Sequence, residues 1–175
     1  MNNTGNKRNK EILIRNHIMP AIFIGITISF TIFALSLFHI YVISIARFIV
    51  FSSFASSSFL LFMEPKQSSA RISKFIKSYI IAGIIGIIGF FISVHIGIYY
   101  SLAIVETAIA LLLVITESEH PPAMGIGVVF ILEEANIFAL TYLLVGMVII
   151  ILMDKFLNNF VYILEGDVKT EIKKL

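Results

Sequence analysis

The chain reads as an all-α, polytopic helical membrane protein of about five spans. Three observations predict this. Hydrophobic residues make up 58% of the 175 and charged residues only 14%, with mean hydropathy +0.97, against roughly half and a quarter in a soluble domain. The charges fall in short stretches between uncharged runs long enough to cross a bilayer. Small and helix-breaking residues interrupt those runs at two places, a serine cluster and a His-Pro-Pro turn. A soluble fold would leave much of this apolar surface in water, where patches beyond roughly a few hundred Å² aggregate.

Residues 1–17 form a basic N-terminus, with Lys7, Arg8, Lys10 and Arg15 against Glu11, and the next charge is Arg47. A spanning helix needs roughly 20 apolar residues. Residues 18–40 supply them, with Pro20 in the first turn, where a missing N–H is harmless. Basic residues before an apolar run also open a signal peptide, but this run is too long and no A-x-A site follows, so it is expected to stay as an anchor.

Residues 41–63 are less uniform. Arg47 lies early in the stretch, and Ser52-Ser53-Phe54-Ala55-Ser56-Ser57-Ser58 precedes the apolar end. Packed hydroxyls offer the backbone competing hydrogen bonds and favour caps or breaks, and a broken helix survives at membrane depth only inside protein or beside a cavity. The alternative is a Ser-rich packing face.

Residues 64–77 carry Lys66, Arg71, Lys74 and Lys77 against Glu64, with Pro65 at the turn. Residues 78–98 hold no charge, and Gly89, Ser93 and Gly97, with Ala82 and Gly86 one stripe over, predict a close-packing face. Residues 99–116 follow almost at once, so a tight hairpin is expected with its turn near 97–101. Then come Glu117-Ser118-Glu119-His120-Pro121-Pro122 and a run, 123–132, too short to cross; it predicts a half-helix. Residues 137–153 form the last span. Residues 157–175 read as a short amphipathic or flexible tail, with Gly166 against a helix.

The positive-inside bias places the N-terminus and the 64–77 loop in the cytoplasm. If 123–132 dips in and returns on its own side, the chain makes five crossings and the tail ends outside. The domains expected are 1–17, a membrane domain 18–156, and the tail 157–175.

His120-Pro121-Pro122 fits the start of a helix, because fixed φ suits the first turn and the lost N–H groups are orphans there. Ala123, Met124 and Gly125 would then point N–H groups back at the break, an anion-binding arrangement, with Gly125 and Gly127 leaving room for a ligand or another helix. A plain helix start with His120 bonded to backbone is the alternative.

The segment Glu119-His120-Pro121-Pro122-Ala123-Met124-Gly125 resembles the signature of the HPP family of integral membrane proteins. A second motif agrees with that resemblance: the family's P-F-G-A-T-x-x-L-x-F-x-x-P is similar to Ser53-Phe54-Ala55-Ser56-Ser57-Ser58-Phe59-Leu60-Leu61-Phe62-Met63-Glu64-Pro65. The resemblance covers roughly residues 18–156. Ser53, Ser68 and Ile72 stand where the family has prolines, Ser78-Tyr79 where it has Gly-His, and Met124 and Ile126 where it has Gly and Thr. The resemblance implies a membrane domain of about four or five spans, sometimes followed by nucleotide-sensing CBS domains, for which the stretch after Phe156 is expected to be too short. Some chloroplast and cyanobacterial members resemble nitrite transporters. The family's two motifs share a core at the start of a half-helix, with counterparts here in Ala55-Ser56-Ser57 and Met124-Gly125-Ile126. That implies an internal repeat, and paired broken helices mark a transporter's substrate site.

Glu106 is ionisable inside a span and is therefore a functional candidate. Glu106, Leu113 and Glu117 would share one helical stripe. Glu106 either pairs with Arg47 as a structural ion pair or is a protonated carboxyl that couples protons to transport. His39 and His95 fall near expected helix ends, at the interface.

The function expected is a transporter or channel-like protein for a small monovalent anion, nitrite by family resemblance, working without cofactor in the lipid bilayer of the cell membrane as a homo-oligomer. Its substrate-binding residues would be His120, Pro121, Pro122, Gly125, Ser56, Ser57, Glu106 and Arg47. The alternative is a non-transporting membrane scaffold or sensor module acting through a partner protein. An enzyme is not expected: the chain has no cysteine, and Glu117, Glu119 and His120 lack a nucleophile or a recognisable metal set. Nucleic acid is not an expected partner, since the basic residues mark membrane ends.

Overall fold

A computed structural model describes the backbone of residues 18–38, 45–134 and 137–172 and the side chains of 18–35, 49–134 and 139–159. The basic N-terminus, His39 and the Arg47 side chain lie outside these. Six α-helices appear among the described residues: α1 (Met19–Phe38), α2 (Ile45–Met63), α3 (Ile72–Ile96), α4 (Ile98–Ile115), α5 (Met124–Leu132) and α6 (Ile137–Ile172). Short 3-10 turns precede α3 and α5, at Ser68–Ala70 and Pro121–Ala123.

By length and composition, Ile72–Ile96, Ile98–Ile115 and Ala139–Asn159 are long and apolar enough to cross a bilayer. Met19–Leu35, Ile49–Met63 and Pro121–Leu132 are shorter apolar helical stretches. The helices expose apolar side chains such as Phe33, Ile84, Phe91, Leu111, Val114 and Leu152. In a membrane such faces meet lipid and do not need a polar cover.

The α3–α4 hairpin turns at one residue. Gly97 has φ 86°, a conformation that favours glycine; its N–H donates to the Ser93 carbonyl and its carbonyl accepts from Ser101 N–H. The packing face expected on α3 is present at Ala82, Gly86 and Gly89, all buried, whereas Gly97 is exposed and serves the turn. Gly86 and Gly127 face each other where α3 meets α5: a Cβ on Gly86 would lie 3.1 Å from the Gly127 Cα. On the other side, Gly127 abuts Ile109 of α4. The short helix thus lies deep in the bundle, with Ile126, Val129, Phe130 and Ile131 buried.

Paired contacts fix the direction of each helix. The Phe23 ring meets that of Phe62 edge-on, so α1 begins where α2 ends. Phe51 meets Tyr142, Phe54 lies against Gly146, and Leu157 joins Phe23 and Phe62, so α6 runs parallel to α2. α5 runs inward from the loop end, with Gly125 against Ser53 and Ile49 of α2, and α6 runs back to that end with Leu157 beside Phe62. Five crossings put the tail at the end opposite the 64–77 stretch, and the structure corrects this: Leu157 lies beside Phe62 at the loop end. The reason is that α5 does not turn back; buried along α3, it hands its depth to α6, which makes the return.

Two further expectations change. α2 runs unbroken through Ser53–Ser57, so α5 is the half-helix present and the serines form a packing face. The two motif cores thus sit differently, one inside α2 and one at the start of α5, and no paired break relates them. α4 ends at Ile115 and Glu117 turns out with φ 53°, so Glu117 leaves the stripe of Glu106 and Leu113. The tail is helical through Gly166 to Ile172, continuous with α6.

Candidate functional site

α2 stays helical across its serines, and one of their hydroxyls, that of Ser57, finds partners on other segments. Ser53, Ser57 and Ser58 are buried, and Ser56 faces outward. Ser57 Oγ lies 2.8 Å from His120 Nε2 and 2.8 Å from the Tyr79 hydroxyl on α3. His120 Nδ1 lies 2.6 Å from the Ser69 carbonyl in the 3-10 turn before α3. A carbonyl only accepts, so Nδ1 carries the proton; in the neutral ring Nε2 then accepts from Ser57, and Ser57 accepts from Tyr79. The chain of donation runs Tyr79 to Ser57 to His120 to Ser69.

His120 is fully buried. Phe75 meets its ring edge-on at 5.3 Å, and Phe54 stacks on Tyr79 at 5.8 Å. Burial pushes the imidazole below its ordinary pKa, and the Ser69 carbonyl pulls the other way. The neutral ring that the hydrogen bonds require is also the form that burial favours. Beside it at the surface, Lys74 Nζ reaches Glu119 Oε2 at 2.7 Å and holds that carboxyl below the usual carboxylate range.

Of the residues expected to bind substrate, Ser57 and His120 meet directly. Ser56, Pro121 and Pro122 line an open groove of about 740 Å³ with Ile24, Ala55, Phe59 and Leu60. Gly125 lies against α2, where a Cβ would come within 3.0 Å of Ser53 Oγ. Glu106 stands apart on α4: its Oε1 is buried without a hydrogen-bond partner and lies 2.8 Å from where a Gly127 Cβ would be. No ion pair to Glu106 forms among the described residues.

The start of α5 differs from the expected anion cradle. The prolines have no N–H, Ala123 N–H donates to the His120 carbonyl at 3.0 Å, and Met124 N–H donates to the Pro121 carbonyl. Two of the three donors expected to face a ligand are thus spent in the 3-10 turn. Elsewhere two hydroxyls, Thr27 Oγ1 and Ser58 Oγ, are, like Glu106 Oε1, buried without partners. Tyr79, Ser69 and Thr27 were not singled out by the sequence; for Tyr79 the signal was its place where the family has histidine.

An all-helical bundle with long apolar helices and a half-helix docked between glycines defines an integral membrane protein. The family model for the HPP transmembrane region matches residues 14–163, and the chain belongs to that family. No curated relative and no solved structure matches the chain.

Proposed function

We propose that the protein is a transporter or channel-like passage for a small monovalent anion, with nitrite the substrate that family resemblance favours. One observation carries the reading: the first turn of α5 meets the hydroxyl face of α2 through Gly125 and Ser53, deep in an apolar bundle. The positive end of a helix dipole and hydroxyl donors together stabilise an anion without a fixed cation. Pro121, Pro122 and Ser56 line the approach, Ser57 and His120 hold the turn behind it, and Glu106 is a buried carboxyl on α4 beside α5. One copy has few helices with which to enclose a path, so the working form is a homo-oligomer in the bilayer of the cell membrane. The N-terminus is cytoplasmic, and no cofactor takes part.

A second reading, a non-transporting scaffold or sensor module acting through a partner, is favoured by His120, whose two ring nitrogens are both occupied within the protein. Liposomes holding the purified protein separate the two. Nitrite, nitrate, formate and chloride are offered in turn; saturable flux of at least one supports the passage, and no flux of any leaves the scaffold.

A further inference from the structure

Three buried rows meet at the loop end of the bundle, and each carries at least one polar residue among apolar ones. On α1 the row is Phe23, Thr27, Thr31 and Leu35; on α2 it is Val50, Phe54, Ser58 and Phe62; on α6 it is Leu143, Met147, Ile150, Asp154 and Leu157. Phe23, Phe62 and Leu157 pack in one cluster. One turn deeper along each helix stand Thr27, Ser58 and, three residues before Leu157, Asp154. The register of the three helices therefore places Thr27, Ser58 and Asp154 at a common depth, one turn in from that cluster.

Each of them lacks what a buried polar group requires. Thr27 and Ser58 are fully buried, and neither hydroxyl has a hydrogen-bond partner. Thr31 donates to the Thr27 carbonyl at 2.7 Å, so that backbone oxygen is already engaged. Asp154, 7% exposed, receives only Asn158 Nδ2 at 3.0 Å, from its own helix, and no ion pair to it forms among the described residues.

The groups missing a partner specify what fits between them. A water molecule would satisfy the hydroxyls and leave the carboxylate charge uncompensated. A proton on Asp154 would remove the charge and leave the hydroxyls unsatisfied. A hard monovalent cation does both, because it neutralises one carboxylate and takes hydroxyl oxygens as ligands. A divalent ion would bring a second charge to a single carboxylate, and no group of three His, Cys, Asp or Glu side chains gathers among the described residues. We propose that Thr27, Ser58 and Asp154 bind a sodium ion between α1, α2 and α6. The site is separate from the His120 turn, since Ser57 and Ser58 point roughly 100° apart on α2.

The test reads stability and needs no transport, so its outcome is independent of the anion reading. Thermal unfolding of the full chain in nanodiscs is compared in sodium chloride, potassium chloride and N-methyl-D-glucamine chloride at one pH and ionic strength. Sodium is expected to raise Tm saturably, and potassium less. Asp154→Asn and the double variant Thr27→Val with Ser58→Ala lose the sodium increment. In N-methyl-D-glucamine the double variant is at least as stable as the native chain, because it discards two unsatisfied buried hydroxyls. Equal Tm values for the native chain in all three salts overturn the proposal, as does an increment that survives in the variants. A double variant that loses stability equally in all three salts marks a structural water and overturns it too. Should Asp154→Asn fail to fold, Ser58→Ala alone decides: half-saturation must move to at least tenfold higher sodium, and a smaller shift refutes the site.

Discussion

Ser57 and His120 are 63 residues apart in the chain and meet at 2.8 Å, with the Tyr79 hydroxyl on the far side of the same serine oxygen. The serine is the middle of a buried relay, so removing it orphans two groups at once. Ser57→Ala leaves His120 Nε2 and Tyr79 O–H without a partner, a loss of about 1–3 kcal/mol for each group so stranded. Ser57→Thr keeps the hydroxyl and is expected to restore most of the stability. Denaturant or thermal unfolding of the three proteins in one detergent measures this.

His120 also sets a pH dependence whose sign follows from its environment. Its folded pKa lies below the unfolded value of 6.5 because burial opposes the charge. As pH falls through that value, the unfolded chain takes up a proton that the folded chain refuses, so stability is lost on acidification below about 6.5 and is level above it. His120→Gln should flatten this arm of the profile. Glu119, whose folded pKa is lowered by Lys74, contributes stability above its ordinary value of 4.5 that is lost only in stronger acid. An unchanged acid arm in His120→Gln would assign the loss to other groups.

Much of this architecture is legible in the residues. Apolar runs and glycine spacing give the helices and the Gly86 face, and the two prolines give the start of α5. The serine cluster misleads because local propensity cannot see the packing that buries Ser53, Ser57 and Ser58, or Tyr79 and His120, which give Ser57 its partners. The direction of α6 is equally hidden, since charge bias is silent where the tail is near neutral, and only the packing of Leu157 on Phe62 decides it. Hydroxyl orphans such as Thr27 and Ser58 become visible only once helices are placed against one another.

That packing gives a topology prediction. The chain has no native cysteine, so Lys66→Cys, Gly97→Cys and Asn159→Cys can each be labelled singly with an impermeant thiol reagent added outside intact cells. Lys66 and Asn159 lie at the same end of the bundle and should behave alike, both unreactive, while Gly97 at the opposite turn should label. Opposite behaviour of Lys66 and Asn159 would contradict the parallel course of α2 and α6.

Glu106 is tested through the helix it touches and through Arg47. If its carboxyl couples protons to transport, Glu106→Gln folds with unchanged Tm and its flux loses pH dependence. If it pairs with Arg47, Glu106→Gln strands a buried charge at a loss of roughly 3–5 kcal/mol, and adding Arg47→Gln recovers part of it. Normal folding with an unchanged pH profile excludes both roles. Gly127→Val, which would push against Ile109 and Glu106 Oε1, should destabilise the bundle in either case.

The passage itself is tested by bulk at Gly125. A Cβ there would lie 3.0 Å from Ser53 Oγ and 3.4 Å from Ile49 Cγ2, so a small side chain fits only if α2 yields by a few tenths of an ångström. Gly125→Leu should close the junction between α5 and the hydroxyl face and abolish anion flux, while the inserted helices remain, as judged by circular dichroism and by labelling of Gly97→Cys in the same background. Gly125→Ala should give an intermediate rate. Ser56→Ala, which changes one exposed hydroxyl in the groove, should alter flux by the worth of a single hydrogen bond, about 1 kcal/mol or less. The ordering Leu, then Ala, then Ser56→Ala is the signature of a route governed by space and donor geometry. A Gly125→Leu protein that passes nitrite at the native rate would remove the junction from the path and leave the scaffold reading in its place.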